Sequence, residues 1–257
     1  MRIATFNVLH GVSLADGQVD VERFAAAVRA IGADVLAIQE VDRNQPRSGG
    51  HDLTQTAAEA MGAVWHRFEP TVLGTPGEVW RPCGPGEDDG GPAYGVALLS
   101  RLPVSRFGVV PLTAAPIRSP IVLPGEKSRV ILLEDEPRAA VVAVVEDNGV
   151  RVTVAGTHLS FVPGWNVRQL RILRRELAGW TRPVVLAGDL NLPASVPAAV
   201  TGWRRAVRAA TYPSTNPRVQ LDHVLLGPGP LTVTASGAQS LGVSDHCAAY
   251  ADVTVRG

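Results

Sequence analysis

The chain has 257 residues, of which 46% are hydrophobic and 19% are charged. This composition supplies a sizeable core and excludes an intrinsically disordered protein. The 24 basic and 24 acidic residues give a formal net charge of zero. That balance excludes a protein held to nucleic acid by bulk positive charge, although it leaves room for a local basic groove.

The sequence carries no mark of a membrane or of an oxidising compartment. The two cysteines, Cys83 and Cys247, are too few for a disulfide framework and lack the spacing of a metal site. No run of about 18 apolar residues predicts a membrane-spanning helix. The first residues follow a strand pattern instead of a secretion signal. We therefore expect a cytoplasmic protein without a transmembrane segment, unless the sequence is a mature form of a longer precursor.

Short apolar runs, many of them rich in β-branched residues, predict a series of strands. In chain order they cover residues 3–8, 34–39, 96–100, 104–110, 130–133, 139–145, 150–155, 184–187, 224–226 and 248–255. Asn148 and Gly149, which separate two of these runs, are typical of a tight hairpin turn between antiparallel strands. Residues 71–92 and 113–128 lack regular patterns and are predicted to form long surface loops.

Helical spacing of apolar residues predicts three helices between these strands. The first covers residues 21–31 with Asp20 as its N-cap, and the second covers residues 53–61, between Asp52 and Gly62. The third has an arginine-rich outer face, and its apolar stripe consists of Val167, Leu170, Leu173 and Leu177. Hairpins mixed with strand–helix–strand stretches favour mixed sheets covered by helices. Neither a repeat nor a linker divides the chain, so we expect one domain over residues 1–257.

Polar side chains stand where the predicted strands begin or end. Asp189 and Asn191 follow the strand 184–187 and, being two residues apart in extended chain, point to the same side. Similar groups adjoin other strands, namely Asn7, Glu40, His158, Asp222, Asp245 and His246. Taken singly, each has an ordinary structural explanation, such as a turn, a cap or a solvated strand end. Together they predict one rim of a mixed sheet that carries metal-binding and proton-transferring groups.

The order and wording of these motifs resemble the endonuclease/exonuclease/phosphatase superfamily, which includes deoxyribonuclease I. The matching pieces run along nearly the whole chain and are Phe6-Asn7, Gln39-Glu40, Thr157-His158-Leu159, Gly188-Asp189-Leu190-Asn191, Leu221-Asp222-His223 and Ser244-Asp245-His246. The resemblance implies an α/β four-layer sandwich, in which two mixed β-sheets pack face to face and are flanked by helices. It also implies a single active site with a divalent metal, Mg²⁺ or Mn²⁺.

The chemistry that fits these residue types is hydrolysis of a phosphate ester or diester by in-line attack of water. Carboxylate and amide oxygens suit a magnesium ion, and Asn7, Glu40 and Asp245 form the predicted metal set. The resemblance implies that Asp189 orients or deprotonates the water and that Asn191 binds a phosphate oxygen or a second metal. His246 would then stabilise the phosphate charge. Whether one metal or two act remains open at this point.

Asp222 is predicted to hold a catalytic histidine in its cationic form, because a nearby carboxylate raises the pKa of histidine. The sequence leaves open whether the partner is His246 or His158. His158 matches a position where deoxyribonuclease I has a catalytic histidine, so it joins the predicted catalytic set. Secondary candidates for contacting substrate are Arg138, Tyr94, Asn166 and His10.

The predicted partner is a phosphorylated substrate, and the protein is expected to be a monomer. Zero net charge favours a small or lipid-linked phosphate. The alternative is an endonuclease or exonuclease acting on DNA or RNA, because a basic element could follow a phosphate backbone. That element consists of Arg168, Arg171, Arg174, Arg175 and Arg182. A non-catalytic binding domain of the same fold is less favoured, because every polar group of the predicted rim is present.

Overall fold

The computed structural model describes residues 1–84, 86–88, 90–123 and 129–255, with side chains for all of these except residues 121–123 and 129–131. Two mixed sheets make up most of it. The first contains, in spatial order, β14 (Leu231–Gln239), β15 (Ala248–Val255), β1 (Arg2–Asn7), β2 (Val35–Arg43), β5 (Ala93–Ser100), β3 (Trp65–Gly74) and β4 (Trp80–Pro82). The second contains β12 (Arg204–Arg205), β13 (Asp222–Leu226), β11 (Val184–Asp189), β10 (Val150–His158), β9 (Arg138–Asp147) and β6 (Val104–Leu112).

A separate two-stranded hairpin, four α-helices and two short 3-10 helices (Leu9–Gly11 and Pro46–Ser48) complete the described elements. The hairpin pairs β7 (Arg118–Leu123) with β8 (Arg129–Glu134). The α-helices are α1 (Val21–Ile31), α2 (Leu53–Met61), α3 (Trp165–Leu177) and α4 (Val196–Thr201). Within the described ranges, no helix combines the length and the apolar character that crossing a bilayer requires.

Three apolar layers explain why the elements stack as they do. Alternating residues such as Val35, Val154 and Val185 form the core between the two sheets. Helices α1 and α2 bury their apolar faces on the outer side of the first sheet, where Phe24 is completely buried. Helix α3 does the same on the outer side of the second sheet through Leu170. The predicted four-layer α/β sandwich is therefore confirmed.

Parallel pairing brings strand ends together at one end of the sandwich. β1 is parallel to β2, and β10 is parallel to β11, so each pair ends at the same edge of its sheet. Asp189 at the end of β11 lies opposite Asp222 at the start of the antiparallel β13. Asn7 at the end of β1 contacts Asp189 across the sandwich. Polar residues at the strand ends of both sheets therefore lie close together at one end of the sandwich.

A bulge in β2 turns Glu40 toward that place. Leu36 and Ile38 face the outer core, so unbroken alternation would send residue 40 there as well. The pairing of β2 with β5 instead shifts register between Gln39 and Val41, and Glu40 has a φ of 57°. An extra residue of this kind re-aims a side chain, and Glu40 consequently lines the cavity at the strand ends.

Gly156 permits the two sheets to approach closely beneath the same cavity. It belongs to β10 and faces the first sheet, where a Cβ atom would stand 2.8 Å from the Cβ of Ala37. A larger residue would therefore push the sheets apart two residues before His158.

Three of the four described α-helices lie where the sequence predicts them, as does every predicted strand run, whereas α4 was not predicted. Asp20 and Asp52 cap α1 and α2 through their side chains, as expected. The prediction of a loop over residues 71–92 is wrong in part, because β3 extends to Gly74 and β4 follows it. The loop predicted over residues 113–128 contains β7, and residues 124–128 lie outside the described ranges.

Candidate active site

A cavity of about 1130 Å³ opens at the end of the sandwich where the polar strand ends meet. We call its inner part the floor, which consists of Glu40, Tyr94, Arg138, His158, Asp189, Asn191, Asp245 and His246. We call its outer part the wall, which consists of Pro76, Glu78, Trp80, Arg118, Leu132, Leu133, Glu134, Glu136, Phe161 and Pro163. The floor comes from the ends of sandwich strands, whereas most of the wall comes from the β3–β4 loop, the β7–β8 hairpin and the segment before α3.

Asp189 is the centre of the floor and is almost completely buried. Its Oδ2 accepts a hydrogen bond of 3.0 Å from the Asn7 amide, and its Oδ1 accepts one of 2.9 Å from the backbone N–H of Asn191. The second bond closes a turn at the end of β11 and explains the positive φ of Asn191. Burial raises the pKa of Asp189 to about 6, which brings this carboxylate toward the range of a general base near neutral pH.

Glu40 lies beside Asp189 and shares a partner with it. The Asn7 amide also donates to Glu40 Oε1 at 3.0 Å, while the Asn7 Oδ1 accepts from the backbone N–H of Leu9. Exclusion of water around Glu40 raises its pKa to about 7, and the charges of Asp245 and Asp189 add to the rise. Asn7 therefore links two carboxylates that repel each other.

The donor set of the floor fits a divalent cation. Glu40, Asp189 and Asp245 turn three carboxylates toward one cavity, and hard cations such as Mg²⁺ bind such oxygen ligands. A second combination, Asp189, Asp222 and His246, has ligand atoms within 4.8 Å of one another. That combination suits a cation less well, because His246 is already paired with Asp222 and carries positive charge. Glu40 and Asp245 are the better candidates to hold a metal.

Two histidines approach Asp189 Oδ2 from different elements. His246 Nε2 lies 3.8 Å away and His158 Nε2 lies 3.6 Å away. The Nδ1 of His246 is 2.8 Å from Asp222 Oδ2, which answers the question of which histidine Asp222 serves. Burial alone would lower the pKa of His246, but Asp222 and Asp189 outweigh it and raise the pKa to about 10. His246 is therefore cationic at neutral pH.

His158 is in the opposite state. Its Nδ1 lies 3.1 Å from Nη1 of Arg138, which itself is buried. Burial, then the positive charge of Arg138, lowers the pKa of His158 well below its usual value. His158 is neutral at neutral pH.

The other predicted residues divide into two groups. Tyr94 and Arg138 belong to the floor, and burial raises the pKa of Tyr94 well above 10, so its hydroxyl stays protonated.

Asn166 and His10 are not among the residues that line the cavity. Asn166 instead donates to the backbone carbonyl of Asn191 at 2.9 Å and supports that turn. His10 lies near Arg47 and Asp42, and burial lowers its pKa. The catalytic, metal-binding and substrate-binding roles of the individual residues stay predictions.

Sequence reasoning missed several residues around the cavity. Tyr212 lines it, and the centroid of its ring lies 4.9 Å from that of the His246 ring, with the two ring planes tilted by 51°. Trp80, Phe161 and Leu132 on the wall were also missed. Leu132 lies in a predicted strand, whereas the others lie in or beside segments without clear periodicity; in both cases only the closure of the fold brings the side chain to the cavity.

The comparisons with known proteins agree with this arrangement. The sequence model described as Endonuclease/Exonuclease/phosphatase family matches residues 4–246. No curated protein matches the sequence.

Among solved structures, an endonuclease/exonuclease/phosphatase from Beutenbergia cavernae is 24% identical, with a TM-score of 0.72 over 100% of this chain and 72% of that one. The mannosyl-6-phosphatase of Bacteroides thetaiotaomicron is 14% identical over 99% of both chains, with a TM-score of 0.63. The human Nocturnin catalytic domain with bound sulfate is 19% identical over 100% of this chain and 94% of that one, with a TM-score of 0.62. At these identities the solved structures show a shared fold.

The family match covers almost the whole sequence and includes the polar strand ends from Asn7 to His246. Members of the family are hydrolases that act on phosphoester bonds and depend on divalent metal ions. This chain belongs to the endonuclease/exonuclease/phosphatase family.

Proposed function

We propose that this protein is a Mg²⁺- or Mn²⁺-dependent phosphoesterase that hydrolyses a small or lipid-linked phosphate ester or diester. The observation that carries the proposal is the floor, where an anionic centre and a cationic histidine face the same cavity. Asp189 and His246 are held by buried partners, Asn7 and Asp222, so their geometry is set before substrate arrives. Preorganised charge of this kind is the main source of catalysis in phosphoryl transfer.

Each of these residues has a separate role in the proposed reaction. Asp189 orients the attacking water and accepts its proton, for which a carboxylate with a raised pKa is suited. His246 donates from Nε2 to a non-bridging phosphate oxygen and stabilises the negative charge that these oxygens carry in the transition state. The leaving oxygen takes the electron pair of the broken P–O bond and then a proton from water. Asp222 keeps that imidazole cationic and oriented. Glu40 and Asp245 would hold the metal ion, which supplies Lewis-acid stabilisation of the phosphate when bound.

The wall supports a small or lipid-linked substrate over a nucleic acid. It carries the acidic residues Glu78, Glu134 and Glu136 beside Arg118, and acidic groups would repel the extended polyanionic backbone of DNA or RNA. Apolar groups such as Trp80 and Leu132 offer contact to an uncharged substituent. Nucleic acid is the second candidate, supported by the exposed arginines on the outer face of α3.

A substrate panel assayed with Mg²⁺ or Mn²⁺ tests the proposal. The panel contains sugar phosphates, inositol phosphates, sphingomyelin, a generic phosphodiester, supercoiled plasmid, abasic oligonucleotide and single-stranded DNA. Release of phosphate or of a phosphorylated headgroup is expected. Chelation should abolish it, and added metal should restore it.

Two controls make the result decisive. The variant Asp189→Asn has nearly the same size and should be inactive on every substrate, whereas Asp16→Asn on the exposed surface should behave as wild type. Preferential nicking or trimming of nucleic acid would replace the small-substrate assignment with the nuclease. Turnover that survives complete chelation would refute the metal-dependent mechanism.

A further inference from the structure

The two floor histidines are anchored at the same ring atom by groups of opposite charge. His246 Nδ1 faces the carboxylate of Asp222 at 2.8 Å, whereas His158 Nδ1 faces the guanidinium of Arg138 at 3.1 Å. Both rings turn Nε2 toward Asp189 Oδ2. The difference in anchors therefore determines what each histidine presents to the cavity.

An arginine side chain only donates hydrogen bonds, because its guanidinium has no accepting atom and stays protonated. The Nδ1 of His158 must then offer its lone pair to Arg138. A neutral imidazole has one lone-pair nitrogen and one N–H nitrogen. The proton of His158 is consequently on Nε2, the atom that faces Asp189.

Asn191 competes for the ring. Its Nδ2 lies 3.2 Å from His158 Nε2 and also donates to the backbone carbonyl of Leu159 at 2.9 Å. Arg138 and Asn191 cannot both donate to one neutral ring, since it holds a single accepting nitrogen. The bond from Arg138 is charge-assisted and buried, and such bonds are roughly twice as strong as neutral ones. Asn191 keeps its bond to Leu159, and Arg138 takes the lone pair.

We propose that Arg138 is a positioning residue that fixes the proton of His158 on Nε2, so that His158 serves as a neutral hydrogen-bond donor opposite the cationic His246. The proposal rests on the proposed function only where it concerns catalysis. His158 then donates to Asp189 or to a phosphate oxygen and does not accept the proton of the attacking water. The floor contains one charged and one neutral donor, each fixed by its own anchor.

The surroundings of Arg138 suit this role. Its exposed fraction is 6%, and its Nη2 lies 3.7 Å from Glu136 and 3.9 Å from Asp135. These carboxylates hold the guanidinium against His158. The low pKa of His158 agrees with a ring that is buried beside a permanent cation.

Nitrogen-15 spectroscopy of the metal-free protein measures the tautomer directly. The His158 signals are identified by their loss in His158→Gln. We expect the wild type to show a protonated Nε2 and an unprotonated Nδ1. Arg138→Met should shift both His158 nitrogens toward the average of two tautomers, and Arg138→Lys, which retains a cationic donor, should restore the wild-type pattern. A proton on Nδ1 in the wild type, or an unchanged pattern in Arg138→Met, would overturn the proposal.

Kinetics with metal-loaded protein test whether the tautomer matters for turnover. Glutamine offers an amide N–H near the position of Nε2–H, so His158→Gln should retain at least about tenfold more kcat than His158→Leu. Arg138→Met should lower kcat about 10- to 100-fold in the wild type, the range typical of residues that orient a catalytic group. In the His158→Gln background, Arg138→Met should lower kcat by less than about threefold, as expected of two residues that act as a unit.

Equal losses in both backgrounds would mean that Arg138 acts on substrate directly, and would overturn the positioning role. Should Arg138→Met fail to fold, Arg138→Leu, which also lacks a donor, replaces it, and Arg138→Lys remains the cationic control. The two proposals fail separately. A wild type that turns over no phosphoester removes the proposed function, whereas the tautomer measured in the metal-free protein stands or falls by itself.

Discussion

The floor and the wall of the cavity are built in different ways. The floor is made of buried and half-buried side chains at the ends of sandwich strands. Hydrogen bonds donated by Asn7 and accepted by Asp222 hold its groups in place. The wall is made of connecting segments, and several of its side chains are exposed, including Leu132 at 65%. Rigid strand ends fix the atoms that react, and connecting segments vary without disturbing them. We therefore expect the floor to determine the reaction type and the wall to determine the choice of substrate.

The largest expected effect comes from removing the charge at the centre of the floor. Asp189→Asn should lower kcat at least about 1000-fold, because the proposed general base and the negative charge beside the two histidines are lost. Steady-state kinetics measure the change, and circular dichroism checks the fold. A variant that keeps more than a tenth of wild-type kcat would contradict the role given to the floor.

A smaller effect is expected from the anchor of the cationic histidine. Asp222→Asn should lower kcat about 100-fold and should also change its dependence on pH. In the wild type, His246 stays protonated until the pH approaches its pKa of about 10. Without the carboxylate the pKa falls, so the variant should lose its remaining activity at a lower pH than the wild type does. Identical alkaline limbs in the two pH profiles would show that His246 is not the required donor.

Changes to the wall should affect binding more than chemistry. Trp80→Ala and Leu132→Asn should each raise KM about tenfold for a substrate with an apolar substituent, which corresponds to the loss of one apolar contact, and leave kcat within about twofold. A substrate without that substituent provides the matched comparison and should be almost unaffected. A large loss of kcat in either variant would erase the distinction between the two regions.

The smallest effect concerns stability of the metal-free protein. Because the folded-state pKa of Glu40 is about 7, folding favours its protonated form. The contribution of protonated Glu40 to the free energy of unfolding is therefore fully present below pH 4.5 and is lost as the pH rises through 7. At pH 8, Glu40→Gln should therefore raise the free energy of unfolding by about 1–2 kcal/mol in chelator. Urea titration measures the gain, which should vanish near pH 4 and reverse with added metal. A wall variant such as Leu132→Asn should show no such dependence on pH.

The sequence predicts the floor better than the wall for a physical reason. Asp189 and His246 adjoin strands whose regular apolar patterns are clear in the sequence. The two side chains therefore meet as a consequence of how these strands pack. The sequence places Glu40 at the end of a strand, but strand alternation alone would direct its side chain to the outer core. Only the bulge in β2 turns that side chain toward the cavity. Arg138 and His158 are brought near each other by the pairing of β9 with β10 across the predicted hairpin turn, but the sequence pattern does not show that the two side chains meet.

Three of the strands that the sequence does not predict carry weak sequence patterns. β3 carries no clean alternation in its first half, and β7 contains Pro120, which cannot donate to a sheet. β14 consists largely of small and polar residues in an edge strand, so its sequence resembles a loop. In each case pairing with a neighbour, and not the intrinsic preference of the residues, decides the structure.

The pairing of β1 with β15 has a consequence for the newly made protein. Ser244 Oγ donates to the backbone carbonyl of Asn7 at 2.7 Å, across 237 positions of sequence. A ribosome-bound chain that lacks Asp245 and His246 has only part of its floor, however well its earlier strands have folded. If Asp245 and His246 have the proposed roles, we expect the chain to be inactive during most of its synthesis and to become active once β15 has paired with β14 and β1.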